Sequence, residues 1–387
     1  MDINQYLDTV SIDTEAYRFI HNADSLLNNI AKNTEKNPLN LSEKFQIAIL
    51  GVPEDRNTPN KGTSKAPDEI RKELYKLYKP SSNIRIIDLG NLKRGKNTND
   101  TYIALKDVIY ELLKKKIIPV VIGGSQELTR PIFAAYEKLK RVTNITAVDS
   151  KFDIGDSHEQ FDSQSYLSNI VSKKSKYLFN FSNIGYQTYY VPQDDIELMN
   201  KMYFDTLRLG LARSKIQNIE PYIRDSDLVT MDISSVKSSD APGHYDASIH
   251  GFYGEEICQI ARYCGTSIKL SCLGLFEVNP DFDKENKTSK LAAQIIWHFL
   301  QGFSVRKNEQ PKSDSKKFQK FIVTIKSTEN QLIFYKSNQS NRWWIEIPYI
   351  YRKVEKTLII SCSEDDYFVA ARNEIPDIWW KYFQKLN

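Results

Sequence analysis

Short apolar runs alternate along the chain with amphipathic stretches. The runs cover Phe45 to Val52, Ile84 to Leu89, Ile117 to Ile122, Ile145 to Val148, Leu228 to Ile233 and Leu270 to Val278. Runs of this length, flanked by turn residues and lacking strict alternation, predict strands buried on both faces, as in a parallel sheet. Between them, apolar positions on one side and charges on the other predict helices over Ala66 to Tyr78, Tyr102 to Lys115, Leu128 to Lys140, Gly254 to Tyr263 and Ser289 to Phe303. Strand and helix in alternation give an α/β fold: three layers, α/β/α, around a mostly parallel central sheet. In a doubly wound sheet, function gathers in the loops beyond the carboxyl ends of the strands.

Both ends of the chain depart from this rhythm. Tyr17, Ile20, Ala23, Leu27 and Ile30 recur at helical spacing before Asn37-Pro38 breaks the run, so residues 1–40 are expected to form a helical N-terminal extension. The α/β/α domain then spans 41–305. Residues 306–317 (RKNEQPKSDSKK) are polar, charged and proline-containing, and are expected to form a linker. Beyond it, FIVTIKS, QLIFYKS, RWWIEIPYI and TLIISCS predict a small antiparallel sheet, followed by the helical PDIWWKYFQKL. Trp343, Trp344, Trp379 and Trp380 lie in this stretch, and 318–387 is expected to be a β-rich extension packed on the core, since so few residues bury little surface alone.

Composition narrows the function classes without naming one. Apolar residues make up 41% of the 387 and charged residues 26%, the balance of an ordinary globular chain. The formal charge of +4, from 53 basic against 49 acidic residues, gives no reason to expect nucleic acid as a partner. The acidic N-terminus lacks a signal-peptide pattern and no apolar run is long enough to insert in a membrane, so a cytoplasmic location is expected. Cys258, Cys264, Cys272 and Cys362 lack C-x-x-C spacing and read as small buried hydrophobes.

The chemistry sits at four strand ends: VVIGGSQE (120–127), TAVDSKFD (146–153), LVTMDISSVKSSDAPG (228–243) and GLFEVNP (274–280). One cleft receiving all four would hold Asp149, Asp153 and Asp232 together, with Lys151 between the first two in sequence and Glu277 on a neighbouring strand. Converging carboxylates suit a hard cation. No Gly-rich phosphate loop and no G-x-S-x-G elbow competes with this reading.

The same segments resemble the ureohydrolase family (arginases, agmatinases, formimidoylglutamases), whose motifs read G-G-D-H-S, D-A-H-x-D, S-x-D-x-D-x-x-D-P-x-x-A-P-G and E-x-N-P. The resemblance runs from about Phe45 to Phe303 and includes GTSKAPDEIR (62–71); SNIGYQ (182–187) and RLG (208–210) look most like formimidoylglutamases. It implies two Mn2+ ions held by two histidines and four aspartates, with a metal-bridging hydroxide attacking a guanidine or formimino carbon. Asp149, Asp153 and Asp232 match that ligand set. Gln126 and Lys151 stand at the two histidine positions and Ser234 at the second aspartate of the third motif. Ser125 replaces the aspartate of the first motif, Lys237-Ser238 the distal Asp-Pro, and Ser248 a substrate-contacting glutamate.

A lysine ammonium offers donors only and opposes metal binding. No metal or other cofactor is therefore expected, or at most a single divalent cation such as Mn2+ on Asp149, Asp153 and Asp232. Lys151, and with it Lys237, is expected to take the cation's place by pairing inside the carboxylate cluster. His158 falls where the family often has a substrate-side or proton-shuttling histidine, but a solvated loop histidine is the commoner case. Glu277 is either catalytic or a buried hydrogen-bonding acid. The resemblance with half its ligands replaced implies a non-catalytic protein with a binding, scaffold or regulatory role and a protein partner or homo-oligomer. The alternative is a hydrolase of a linear amidine, formimino or guanidino C–N bond with an atypical mononuclear or metal-free site.

Overall fold

A computed structural model describes residues 2–11, 17, 23–38, 44–80, 84–155, 161–172, 175–311, 316–326 and 330–387. Its strands are β1 (Leu7–Asp8), β2 (Ala31–Lys32), β3 (Ile47–Gly51), β4 (Ile86–Leu92), β5 (Ile118–Ile122), β6 (Thr143–Val148), β7 (Leu178–Tyr186), β8 (Asp205–Arg208), β9 (Leu228–Asp232), β10 (Cys272–Phe276), β11 (Phe318–Thr324), β12 (Gln331–Ser337), β13 (Trp343–Tyr351) and β14 (Val354–Cys362). Its helices are α1 (Leu26–Asn29), α2 (Ala66–Leu74), α3 (Thr98–Lys114), α4 (Thr129–Lys138), α5 (Tyr166–Ser172), α6 (Gln193–Lys201), α7 (Leu209–Ser214), α8 (Glu220–Arg224), α9 (Gly254–Thr266), α10 (Lys287–Ser304), α11 (Glu364–Ala371) and α12 (Asp377–Leu386).

The apolar runs fold as their pattern predicts. One sheet runs β1-β4-β3-β5-β10-β9-β6-β7-β8, with β2 also on β4, and every pairing is parallel except β1 with β4. Successive residues of β3 face opposite layers: Ile47 and Ile49 pack among the side chains of α2, α9 and α10, while Ala48 and Leu50 pack with those of α3 and α4. This double burial is why the runs are continuously apolar. The arginase-like three-layer α/β/α fold expected from the sequence is the fold observed.

Three expectations need adjustment. The expected helical N-terminal extension falls largely on residues 12–16 and 18–22, which lie outside the described residues; among the described residues of 1–40 there are a short 3-10 turn and the four-residue α1, while β1 and β2 pair along the edge of β4. An open sheet edge carries unpaired N–H and C=O groups, and β1 and β2 pair those of β4. β7, β8 and α5 to α8 have no counterpart in the sequence reading. α3 begins earlier than expected because Asn97 caps it, its side chain accepting from the Asp100 N–H.

The second sheet, β11-β12-β13-β14, is wholly antiparallel and encloses its own apolar cluster with α11 and α12, to which Phe179 of β7 is joined. Polar contacts tie it to the α/β sheet's layers. Arg224 Nη2 donates to the Trp343 carbonyl at 2.8 Å with its guanidinium 4.2 Å from the Trp344 ring centre, and Asp225 accepts from Ser361 N and Oγ at 2.7 and 2.6 Å. Within the expected linker, Glu309 is buried and accepts from Ser337 Oγ at 2.7 Å. No helix of the described residues is long and apolar enough to cross a membrane.

Candidate active-site cleft

The four chemistry-bearing segments end on four neighbouring strands, β5, β10, β9 and β6, so their loops open at one edge of the sheet. At the end of β5 the chain turns through Gly123 (φ +79°) and Gly124 (φ +73°); a Cβ on Gly123 would come within 2.4 Å of Pro67. Only glycine lets this loop lie so close to α2. The turn presents Ser125, Gln126 and Glu127, all fully buried.

Asp149, Asp153 and Asp232 converge, each offering a carboxylate oxygen within 4.8 Å of the others. Asp149 Oδ1 accepts the Lys151 N–H at 2.9 Å, and Asp232 Oδ1 the Ser234 N–H at 2.7 Å. Asp149 Oδ2 is buried without a hydrogen-bond partner. Burial, then the neighbouring carboxylates, pushes both Asp149 and Asp153 well above the usual carboxylate range. Asp153 (φ +51°) and Glu277 (φ +64°) both hold left-handed backbone, an arrangement that costs free energy and clusters at functional sites.

Glu277 is held by the Gln126 N–H on Oε1 (2.8 Å) and by Asn60 Nδ2 on Oε2 (2.9 Å). Gln126 turns its amide N–H groups toward Thr230 Oγ1 (3.2 Å) and the Tyr166 hydroxyl (3.4 Å), leaving its Oε1 buried and unpartnered. Ser125 Oγ donates to Glu127 Oε1 at 2.8 Å. Acid and hydroxyl thus stand in the reverse order to the G-G-D-H-S pattern. Burial pushes the Glu127 carboxyl up to about 8.

The expected internal ion pair is not formed. Lys151 Nζ lies 3.5 Å from Asp246 Oδ2 and 5.4 Å from the centre of the Tyr190 ring, and among the described residues no ion pair joins it to Asp149 or Asp153. Burial opposes its charge, but Tyr245, Asp246, Asp153 and Asp232 together outweigh that and raise its affinity for the proton. The side chain reaches outward to a partly solvated partner, where the ammonium keeps part of its hydration. Lys237 is also elsewhere, 3.9 Å from Asp240 and 4.0 Å from the Tyr253 ring centre.

The cavity above the carboxylates has a volume of about 30 Å³ and is lined by Asp149, Lys151, Asp153, Asp232, Ser234 and Glu277 of the sequence-derived set. Ser125, Gln126 and Lys237 do not line it, and His158 lies outside the described residues. Ser234 Oγ lies 3.3 Å from Ser150 Oγ. His244, which lies outside the four motifs' ligand positions, also lines the cavity; its Nδ1 accepts the Asp246 N–H at 3.0 Å, and burial lowers its basicity, leaving a neutral ring with the proton on Nε2. Tyr190, Tyr245 and Gln164 complete the mouth and were not foreseen, because nothing in their spacing ties them to the strand ends.

The sequence profile of the arginase family matches residues 45–301, about two thirds of the chain and all four strand-end motifs. The chain belongs to the arginase family. Relatives within the family include the formimidoylglutamase of Staphylococcus haemolyticus, 27% identical over 287 residues that span 68% of this chain and 89% of that protein. That of Rhodococcus jostii is 26% identical over 284 residues, covering 66% and 85%. Among solved structures, the Trypanosoma cruzi formiminoglutamase with Mn2+ superposes with a TM-score of 0.66 at 19% identity, covering 73% of this chain and 99% of that one. The Bacillus subtilis formimidoylglutamase gives 0.66 at 19% identity, covering 76% and 99%. These arginase-family structures share the fold over the α/β/α layers. The N-terminal strands, by contrast, begin before the matched residues and the second sheet follows them.

A dinuclear metal pair does not fit the donors present. One of its ligand positions carries an ammonium directed to Asp246, and another carries a neutral hydroxyl next to Ser150. A single cation does fit. Three carboxylates converge, and the buried Asp149 Oδ2 lacks a donor.

Proposed function

We propose that this chain is a non-hydrolytic member of the arginase family, formimidoylglutamase-like in ancestry, whose cleft serves a binding or regulatory role toward a protein partner or a second copy of itself. The observation that carries the reading is the position of Lys151. With its ammonium drawn to Asp246 and Tyr190, and Ser234 in place of a carboxylate, the chain lacks the donors for a second ion. A metal pair would supply an activated water at neutral pH. The chain's own side chains do not replace it: His244 is neutral with Nδ1 committed to a backbone N–H, and Glu277 is engaged by Gln126 and Asn60. The space directly above the carboxylates, about 30 Å³, holds an ion or a water or two and opens to solvent at its mouth. The test is ammonia or urea release from formimidoylglutamate, arginine and agmatine by protein supplied with Mn2+. No release above the protein-free blank is expected, and turnover abolished by Asp232→Asn would overturn the reading.

One observation favours a second reading, a hydrolase working through a single-ion site. The strained backbone at Asp153 and Glu277 is kept together with the carboxylate cluster, as in a site still under functional constraint. That reading expects slow release dependent on the added cation in the same assay.

A further inference from the structure

We infer that the seam between the second sheet and helices α8 and α9 binds a small oxyanion, a metabolite bearing a carboxylate or a phosphate, through the guanidinium groups of Arg262 and Arg342, with the buried Arg224 adding its charge. This site is separate from the cleft and goes beyond the function proposed for it.

The location follows from chain order. α8 ends at Arg224, shortly before β9, and α9 ends at Thr266, shortly before β10, so the seam lies toward the amino ends of these strands, whereas the cleft lies beyond their carboxyl ends. Facing them are Arg342, just before β13, and Ser363, just after β14. The cavity between the two sides has a volume of about 350 Å³, within the range of small-molecule sites. Half of its lining comes from residues beyond 301, outside the stretch shared with the arginase family.

The charges in this seam do not balance. Three arginines and three acids line it, but two of the acids are already engaged: Glu364 lies 3.2 Å from Lys336 Nζ, and Asp365 lies 2.7 Å from Lys215 Nζ and accepts from Asn218. That leaves Glu220, with one carboxylate for two guanidiniums, 2.9 Å from Arg342 Nε and 3.4 Å from Arg224 Nε. Asp225 is taken up by the N–H and hydroxyl of Ser361. Among the described residues no acid pairs with Arg262, whose Nε donates to Gln301 Oε1 at 3.0 Å. Positive charge is therefore in surplus.

The second observation concerns hydrogen bonds. Arg224 is 5% exposed; its Nη2 donates to the Trp343 carbonyl, while its Nη1 is buried without a partner. Buried donors are ordinarily satisfied, and a buried charge without full compensation is costly. Burial, opposed by Glu220 and Asp225 and reinforced by Arg342, lowers the affinity of this guanidinium for its proton. An anion in the cavity supplies the missing negative charge, and guanidinium forks match the oxygens of carboxylate and phosphate. Because Arg342 adjoins β13 and Arg262 belongs to α9, an anion held by both ties the second sheet to the α/β layers and stabilises the docked arrangement.

The experiment titrates the full chain calorimetrically with inorganic phosphate and, separately, with succinate, at constant ionic strength set with sodium chloride. One saturable site per chain is expected, with thermal stabilisation that follows its occupancy. Saturation by phosphate alone assigns the seam to phosphate-bearing ligands, and by succinate alone to carboxylates. Arg262→Gln, at an exposed position where folding is unaffected, and Arg342→Gln are each expected to weaken binding by about tenfold or more, the loss of one charge-assisted hydrogen bond. Lys353→Gln removes the same charge at the exposed tip of the β13–β14 hairpin and should leave binding unchanged. No saturable binding of either anion at millimolar concentration overturns the inference. Equal stabilisation of the parent and both arginine variants, the mark of a general salt effect, overturns it as well.

Discussion

The ammonium of Lys151 stands 3.5 Å from Asp246 Oδ2, with side chains 31% and 58% exposed, and its backbone N–H, not its side chain, serves Asp149. An ion pair so exposed contributes little, because water screens it and two mobile side chains must be ordered. Lys151→Ala should therefore change stability by less than about 1 kcal/mol. Urea unfolding at neutral pH measures this. A loss of several kcal/mol would instead put the ammonium among the carboxylates.

The carboxylate cluster makes a prediction of opposite sign. Two carboxylates about 4 Å apart repel by roughly 4 kcal/mol at an effective dielectric near 20, and protonation of one of them removes part of that. Asp153→Asn should thus stabilise the chelator-treated protein by about 1–2 kcal/mol. Asparagine tolerates the left-handed backbone at this position (φ +51°), so the substitution brings no new strain. Thermal melts of both proteins in chelator check the sign. A less stable variant would mean that Asp153 is held by contacts its repulsion does not outweigh.

These two predictions show where the sequence was informative. The runs at β3, β5, β9 and β10 were legible because burial on both faces favours apolar or small residues at nearly every position, Thr230 and Asp232 of β9 being the exceptions. β7 was not, since it carries Asn180, Ser182 and Asn183 into the interior, where Asp205 and the Lys151 carbonyl satisfy them. The convergence of Asp149, Asp153 and Asp232 followed from strand ends alone. The direction of Lys151 did not, because adjacency along a loop fixes a residue's backbone and leaves its side chain to whichever partner retains more hydration. The reversed pair Ser125 and Glu127 is visible in the motif only as two mismatches; their 2.8 Å hydrogen bond joins them into one exchange.

Lys385, on α12, carries a pH dependence of its own. Burial lowers its pKa to about 8, while Asp205 opposes that shift and Lys381 adds to it. Its Nζ donates to Asn180 Oδ1 at 2.5 Å and lies over the rings of Phe179, Phe204 and Tyr382. Between about pH 8 and the unfolded value near 10.4, the unfolded chain binds more protons at this group than the folded chain, so its contribution to stability improves as pH rises through that window. Below about pH 8 the buried charge is a full cost. Lys385→Met should stabilise the protein at pH 7 by on the order of 1–2 kcal/mol and by progressively less toward pH 10.5. Urea titrations of both proteins across that range give the difference curve, and a flat difference would place Lys385 in solvent.

Asp225 decides whether the second sheet shares its stability with the α/β layers. Its carboxylate accepts from both the backbone N–H and the hydroxyl of Ser361 on β14, at 2.7 and 2.6 Å, next to Arg224, which donates to the Trp343 carbonyl. Asp225→Ala leaves two partly buried donors of β14 without an acceptor, a loss of about 2–3 kcal/mol. If the two parts unfold as one unit, scanning calorimetry of the full chain gives a single transition, and the substitution lowers all of it. Two transitions, with only the smaller one displaced, would show that the C-terminal sheet folds by itself. The buried Arg224 and Glu309 and the half-buried Asp225, each bonded to the second sheet, argue for the single transition, because separating the parts would strip polar groups from both sides at once.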